Sequence, residues 1–404
     1  MIPPEIERRA RWVLDSLGAR NTPVEDFSFR HEAWQEVAAG RRPRSDELAA
    51  AFYDLARVDE VNGPRDRHGR FPASAASFDL LDPPLERLRV RLGLEPPRWR
   101  GARFAVALTH DVDVPWRWTR VGLRGAAARL QAGLLARSPA RAYREMRSLV
   151  AVPLHKVRRT DPNWRFDEIL ARERTVGARS TFFVMAGHRH RADGPSPAIY
   201  ERLRPRLVDL LLAGGAEVGL HGSYTAAEDA AVLAAEKAEL ERLGAVVTGH
   251  RYHYLRVDPH TNLAPLVEAG IHYDSTLGFA DAVGFRGGIA QPFRPWSLAA
   301  DRPLDLIEVP LALMDVTLAE ERYLGLSADE SRPHIESLLD AAADRGGGFA
   351  VLWHTERFDR GTARGWDRLY DDLLSGVRDR GGICLSAGEL ADEAAAWLGA
   401  DGWA

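Results

Sequence analysis

The chain carries one cysteine, Cys384, in 404 residues, which excludes an intramolecular disulfide and any metal or iron–sulfur centre built on thiolates. Lysine is almost as scarce. Only Lys156 and Lys237 stand among 54 basic residues, so Schiff-base or lysine general-base chemistry has almost no candidates. Nowhere do about 18 apolar residues run without a charge, so no membrane-spanning helix is expected. The opening Met-Ile-Pro-Pro-Glu-Ile-Glu-Arg-Arg has no apolar core of a secretory signal, and the expected location is cytoplasmic. A net charge of −4 argues against a globally basic nucleic-acid binder. What remains, 45% hydrophobic and 28% charged residues, is ordinary globular composition.

Two regions differ in pattern. Residues 1–100 predict a small, mainly helical N-terminal region, with helices over Ile6–Leu17 and Ser45–Arg57. A turn-rich stretch from Asn62 to Pro72 follows, dense in Gly and Pro. Residues 101–404 alternate short β-favouring runs with amphipathic stretches of helical length. The runs are Phe104–Thr109, Thr181–Ala186, Ala216–His221, Ala245–Arg251, Ile271–Ser275, Leu304–Pro310, Phe349–His354 and Ile383–Ser386. This alternation predicts an α/β fold with a parallel sheet closed into a (β/α) barrel. An open doubly wound sheet is the alternative, but no Gly-x-Gly-x-x-Gly follows the first run.

One segment breaks the alternation. Residues 117–160 hold Arg117, Arg120, Arg124, Arg129, Arg137, Arg141, Arg144, Arg147, Lys156, Arg158 and Arg159 against the single acid Glu145. With Leu123, Leu130, Leu134 and Leu135 interspersed, this predicts a basic helical insertion at about 116–160. Three fates are open to it: a solvated charged face, a site for an anionic or diphosphate-linked sugar, or contact with an anionic lipid surface. The last would make the protein peripheral to the inner face of the membrane.

In such barrels, reactive groups collect where strands end, because the following loops form the mouth. Here the runs end in Thr109-His110-Asp111-Val112-Asp113, Leu220-His221-Gly222-Ser223, Arg251-Tyr252-His253-Tyr254, Asp274-Ser275 and Trp353-His354. The period of two puts Asp111 and Asp113 on one face and assigns His110 to packing on the other. Two adjacent carboxylates repel unless a cation lies between them, so one would bind a divalent ion and the other accept a proton. Asp274 and Glu308 read equally as strand-end caps or site groups. Asp315, after Met314, could reach the mouth but reads more readily as a turn former.

These residues resemble the polysaccharide deacetylases of the NodB-homology family. The His-Asp-Val-Asp segment is similar to its first motif, and Ser180-Thr-Phe-Phe-Val to its second strand. Glu217-Val-Gly-Leu-His221-Gly-Ser resembles its metal-histidine motif, Arg251-Tyr-His-Tyr254 its Arg-x-Pro-Tyr motif and Val351-Leu-Trp-His354 its Leu-x-x-His motif. The resemblance covers about 101–390 and implies a distorted (β/α) barrel. It also implies a metal-dependent hydrolase that removes an acyl group, N-acetyl above all, from an amino sugar or polysaccharide precursor, with a carbohydrate as substrate.

Carried over, Asp111 is the base, Asp113 and His221 are ligands of a divalent metal such as zinc, and Arg251 orients the base. His354 is the general acid, and the backbone N–H of Tyr254 helps hold the oxyanion. The family's second metal histidine is Thr225 here and its proline is His253. The third ligand is therefore His253 or Asp274. Two other functions stay open: a non-catalytic glycan-binding protein on this fold, and a metal-independent amidohydrolase acting on a non-peptide C–N bond.

Overall fold

A computed structural model of the chain describes residues 2–158, 160–188, 190–194 and 197–399. Arg159 of the basic segment falls outside them, as do the side chains of Arg141 and Arg144. Four helices open the chain: α1 (Pro4–Ser16), α2 (His31–Ala38), α3 (Glu47–Leu55) and α4 (Pro84–Arg91). α1 and α3 fall on the two expected helices, α2 lies between them, and α4 follows the turn-rich stretch. Strand β1 (Ala105–Val112) follows and is buried along its whole length. It leads into the basic insertion, which is helical as expected: α5 (Arg120–Leu135), α6 (Pro139–Val150) and α7 (Val152–Arg158).

Alternation then resumes with α8 (Phe166–Arg174), β2 (Thr181–Met185), α9 (Pro197–Ala213), β3 (Glu217–Gly222) and α10 (Ala230–Arg242). Next come β4 (Gly249–Tyr252), α11 (Ala264–Glu268) and β5 (Tyr273–Asp274). A small antiparallel hairpin, β6 (Trp296–Ser297) with β7 (Arg302–Pro303), stands apart from the main sheet. The chain ends with β8 (Ile307–Glu308), β9 (Leu311–Met314), α12 (Asp315–Ala319), α13 (Ala328–Arg345), β10 (Gly348–Leu352), α14 (Trp366–Asp379), β11 (Ile383–Leu385) and α15 (Ala387–Leu398).

The main sheet runs β8-β5-β4-β3-β2-β1-β10-β9, with β11 also pairing β1, and its pairings are parallel. Its two end strands, β8 and β9, are consecutive in the chain and separated by Val309 and Pro310. One kinked segment therefore joins the two edges of the sheet. Proline cannot donate to a ladder, which explains why this strand is broken there. The expected run Leu304–Pro310 is thus only its first half, and Leu311–Met314 was not foreseen as a strand. The run at Ala245–Arg251 also shrinks, since pairing begins at Gly249. The result is the predicted distorted (β/α) barrel, and the doubly wound alternative falls.

The N-terminal helices pack on the barrel rather than standing clear of it. Trp12 meets Trp296 at 5.1 Å between ring centres, and its indole N–H donates to the Arg294 carbonyl at 3.0 Å. Fully buried Arg286 binds Glu60 through two hydrogen bonds of 2.9 and 2.5 Å. Paired charges of this kind hold the two regions in one register, because leaving either unpaired is costly. No described helix is long and apolar enough to cross a membrane.

Candidate active site

Because the sheet is parallel, its strands deliver their C-terminal ends to one rim. Asp111 lies on β1 opposite Phe183 of β2, and His221 of β3 lies opposite Arg251 of β4. His354 follows β10 by two residues. The interior beneath them is filled by Arg251, which is fully buried and stacks over the Phe183 ring at 4.5 Å. Gly219 makes room for that ring, since a Cβ there would sit 2.6 Å from it. The guanidinium donates to Asp111 Oδ1 at 3.0 Å and to Thr109 Oγ1 at 2.7 Å. It also donates to the Ser275 carbonyl and hydroxyl at 2.7 and 2.8 Å. Asp111 is therefore held by a buried guanidinium at the centre of the barrel.

Above this layer, Asp113, His221 and His253 bring one carboxylate oxygen and two ring nitrogens within 4.8 Å of one another. His221 donates from Nδ1 to the Arg251 carbonyl at 3.0 Å, which turns its Nε2 toward the site. That Nε2 faces Asp113 Oδ1 at 3.2 Å. Both atoms are buried without a hydrogen-bond partner among the described residues. Buried polar atoms without partners, facing each other, suit a cation between them. His253 points Nε2 at the same Asp113 oxygen, 3.7 Å away, and its Nδ1 meets Asp193 at 3.4 Å. A carboxylate behind a histidine is the usual means of fixing a metal ligand's tautomer.

The donor set, two imidazoles and one carboxylate, fits a catalytic zinc-type centre with an open position. Burial would discharge His253, yet Asp113 and Asp193 outweigh it and lift the imidazole to about 9. Burial likewise favours the neutral Asp113 carboxyl, but His253 and His221 hold it well below the usual range. A proton on His253 thus occupies the charge deficit that a cation would fill.

On the other side of Asp113 stands His354, with Nε2 at 3.7 Å from Asp113 Oδ2. Its Nδ1 is bound to Asp315 Oδ1 at 2.6 Å, and Arg357 holds the other Asp315 oxygen at 2.9 Å. Burial opposes the charge on His354, but Asp315 prevails and raises it to about 10. Asp315 is thus no turn former. It opens α12 fully buried and is spent on His354.

Asp274 does not reach the metal cluster. Its Oδ1 binds His250 Nδ1 at 2.7 Å and accepts from the Thr276 hydroxyl at 2.8 Å. Glu308, the neighbour of Asp274 across β5–β8, is pushed well above the usual carboxyl range by burial and by the Asp274 charge. His110 also packs away from the site, bound to Glu173 at 2.8 Å and stacked on Phe182.

β4 ends at Tyr252, and the chain turns at His253–Leu255. Tyr254 sits there with φ 60° and ψ 14°, a left-handed conformation that costs a non-glycine residue about 1–3 kcal/mol. Arg70, from the N-terminal region, donates to the Tyr254 carbonyl at 3.2 Å and to the Tyr323 hydroxyl at 2.9 Å. The first hundred residues thus buttress the site's most strained turn. A cleft of about 820 Å³ opens over these groups, and the insertion contributes Arg129 and Glu145 to its wall. Sequence reasoning missed Asp193, which lies in a loop without any strand-end signal.

No family model and no curated protein matches the chain. Among solved structures, it aligns with a protein from Mycobacterium smegmatis assigned to the polysaccharide deacetylases, at 19% identity and a TM-score of 0.48. That alignment covers 74% of this chain and 93% of the other. The Puue allantoinase aligns at 15% identity and a TM-score of 0.48, covering 80% and 98%. A protein from Pseudomonas aeruginosa PAO1, also assigned to the polysaccharide deacetylases, aligns with the same identity, TM-score and coverage.

Proposed function

We propose that the chain is a metal-dependent hydrolase that cleaves the C–N bond of an acylated amino sugar, resembling the polysaccharide deacetylases in fold and motif order. The observation that carries this is the convergence of Asp113, His221 and His253 between an arginine-held carboxylate, Asp111, and a carboxylate-held imidazole, His354. A scaffold that only binds glycans has no use for two such polarised partners.

Asp113, His221 and His253 would hold a divalent ion such as zinc, which would supply Lewis-acid polarisation of the acyl carbonyl when bound. Asp111 accepts the proton of the attacking water, its second oxygen being free of Arg251. The water oxygen bonds to the acyl carbon, and the C–N bond then breaks. His354, protonated through the neutral range, delivers its proton to the departing nitrogen and is recharged from solvent. Proton transfers of this kind each contribute about 10²–10⁴-fold. The Tyr254 backbone N–H is the candidate donor to the carbonyl oxygen, and its left-handed turn gives a reason for the strain. A carbohydrate suits the cleft by size.

The test is acyl release from an N-acetylated amino-sugar oligomer. Asp111→Asn, nearly isosteric, should lower kcat at least about 10²-fold without changing the fold. Activity that survives chelation and Asp113→Ala would instead favour a metal-independent amidohydrolase. Activity that survives Asp111→Asn removes this mechanism.

A further inference from the structure

Thirteen large apolar side chains are exposed among the described residues, and eight of them fall within the insertion: Val121, Leu134, Leu135, Tyr143, Met146, Val150, Leu154 and Val157. Their placement is ordered. Tyr143, Met146, Val150, Leu154 and Val157 recur at intervals of three, four, four and three, one face of a helix. Ala151, between α6 and α7, keeps helical dihedrals of −75° and −15°, so the stripe continues across the junction. The face turned inward is the weaker one, formed by Ala142, Glu145, Ser148 and Val152. This inverts the pattern of a helix packed on a globular core. Val150 and Val157 are 74% and 81% exposed, a loss of burial that a solvated helix has no reason to accept.

The charge of this segment is one-sided. Eleven basic residues face one acid between 117 and 160, and that acid is buried against Arg117 and Arg129. Arg147 of α6 also lines a groove of about 390 Å³ with Arg360, Arg364 and Arg368, where Asp367 and Asp371 stand among the arginines and Asp367 is paired with Arg360. Two copies meeting through such a face would repel. A nucleic acid would pair with the charge but would leave the aliphatic stripe in water. An anionic bilayer takes both, hydrocarbon for the stripe and headgroup charge for the arginines.

We infer that α5–α7 dock the chain on an anionic lipid surface. Because Arg129 and the inward-facing Glu145 of the same helices wall the cleft, docking holds the site behind them, about one helix diameter from the headgroups. Its substrate is then an acylated amino sugar anchored by a lipid, a step that rests on the hydrolase reading above.

The test is sedimentation of the full chain with vesicles of phosphatidylcholine, with and without phosphatidylserine. Binding should be more than about tenfold stronger with the anionic lipid and weaken in salt. Val150→Glu with Val157→Glu should reverse that gain, with an unchanged melting temperature and unchanged acyl release from a soluble oligomer. Leu135→Glu repeats the test on α5. Equal binding to both vesicle types, no binding, or binding indifferent to these substitutions overturns the inference. Self-association without vesicles that the double variant abolishes also overturns it, by showing that a second copy covers the stripe. If vesicles bind as expected but no acyl is released from any substrate, the hydrolase reading fails while the docking surface stands.

Discussion

Replacing Asp315 with Asn keeps the shape of the His354 partner and removes its charge. In the native chain His354 is raised from 6.5 to about 10 against burial, chiefly by Asp315 at 2.6 Å. Without that carboxylate, Asp113 at 3.7 Å and Glu356 still favour the imidazolium, but burial regains ground. The midpoint should fall to about 7 or below, the range of an ordinary or mildly desolvated imidazole. At pH 8 the acid form then drops to about one tenth, so kcat/KM falls about tenfold there and little at pH 6.

The clean assay follows the His354 Cε1 resonance by NMR through a pH titration, with the kcat/KM profile measured alongside. The pair also stabilises the fold. Its folded value lies above the unfolded 6.5, so that stability is complete below 6.5 and ebbs as pH climbs toward 10. The variant should lose it across the same window. A His354 midpoint that stays near 10 in Asp315→Asn would refute the reasoning.

Three further outcomes follow from the same contacts. Asp193→Asn removes the carboxylate that orients His253 and should weaken zinc binding about 10–100-fold by calorimetry, with the fold intact. Arg251→Gln leaves Asp111 buried without its counter-charge and should cost about 3–5 kcal/mol in urea unfolding; a change below 1 kcal/mol would contradict its place in the barrel centre. Arg286→Ala tests the dependence of the barrel on residues 1–100 by taking from Glu60 its barrel partner, leaving it Arg57 and Arg65. Because Glu60 is held at about 2, below its usual 4.5, the native chain keeps this stability above 4.5 and loses it as pH falls toward 2. The variant should show a flatter acid unfolding profile.

What the sequence made legible follows from locality. Period two alone put Asp111 and Asp113 on one face and His110 on the other, and the strand-end positions of His221 and His354 needed only the parallel sheet. His253 was one of two options because it lies two residues past Arg251, and it reaches the cluster although the strand has ended. Asp274 was the wrong option: it faces the ladder toward His250 and Glu308, a pairing set by register. Asp315 and Asp193 were unreadable for a different reason. Their partners are 39 and 60 residues away, and no spacing rule connects a loop or helix-start acid to a distant imidazole. The broken strand over 307–314 was half missed because Pro310 looks like a terminator when it is a kink inside one segment.

Asp113, His221 and His253 must act as one cation site for the proposed hydrolysis to run. Its most direct test is zinc titration of purified, metal-stripped protein by calorimetry, read in several buffers. The account predicts one ion per chain, release of protons on binding as His253 gives up its charge, affinity that rises with pH toward about 9, and loss of binding in His221→Ala. Failure to bind an ion, or binding that His221→Ala leaves intact, would contradict it.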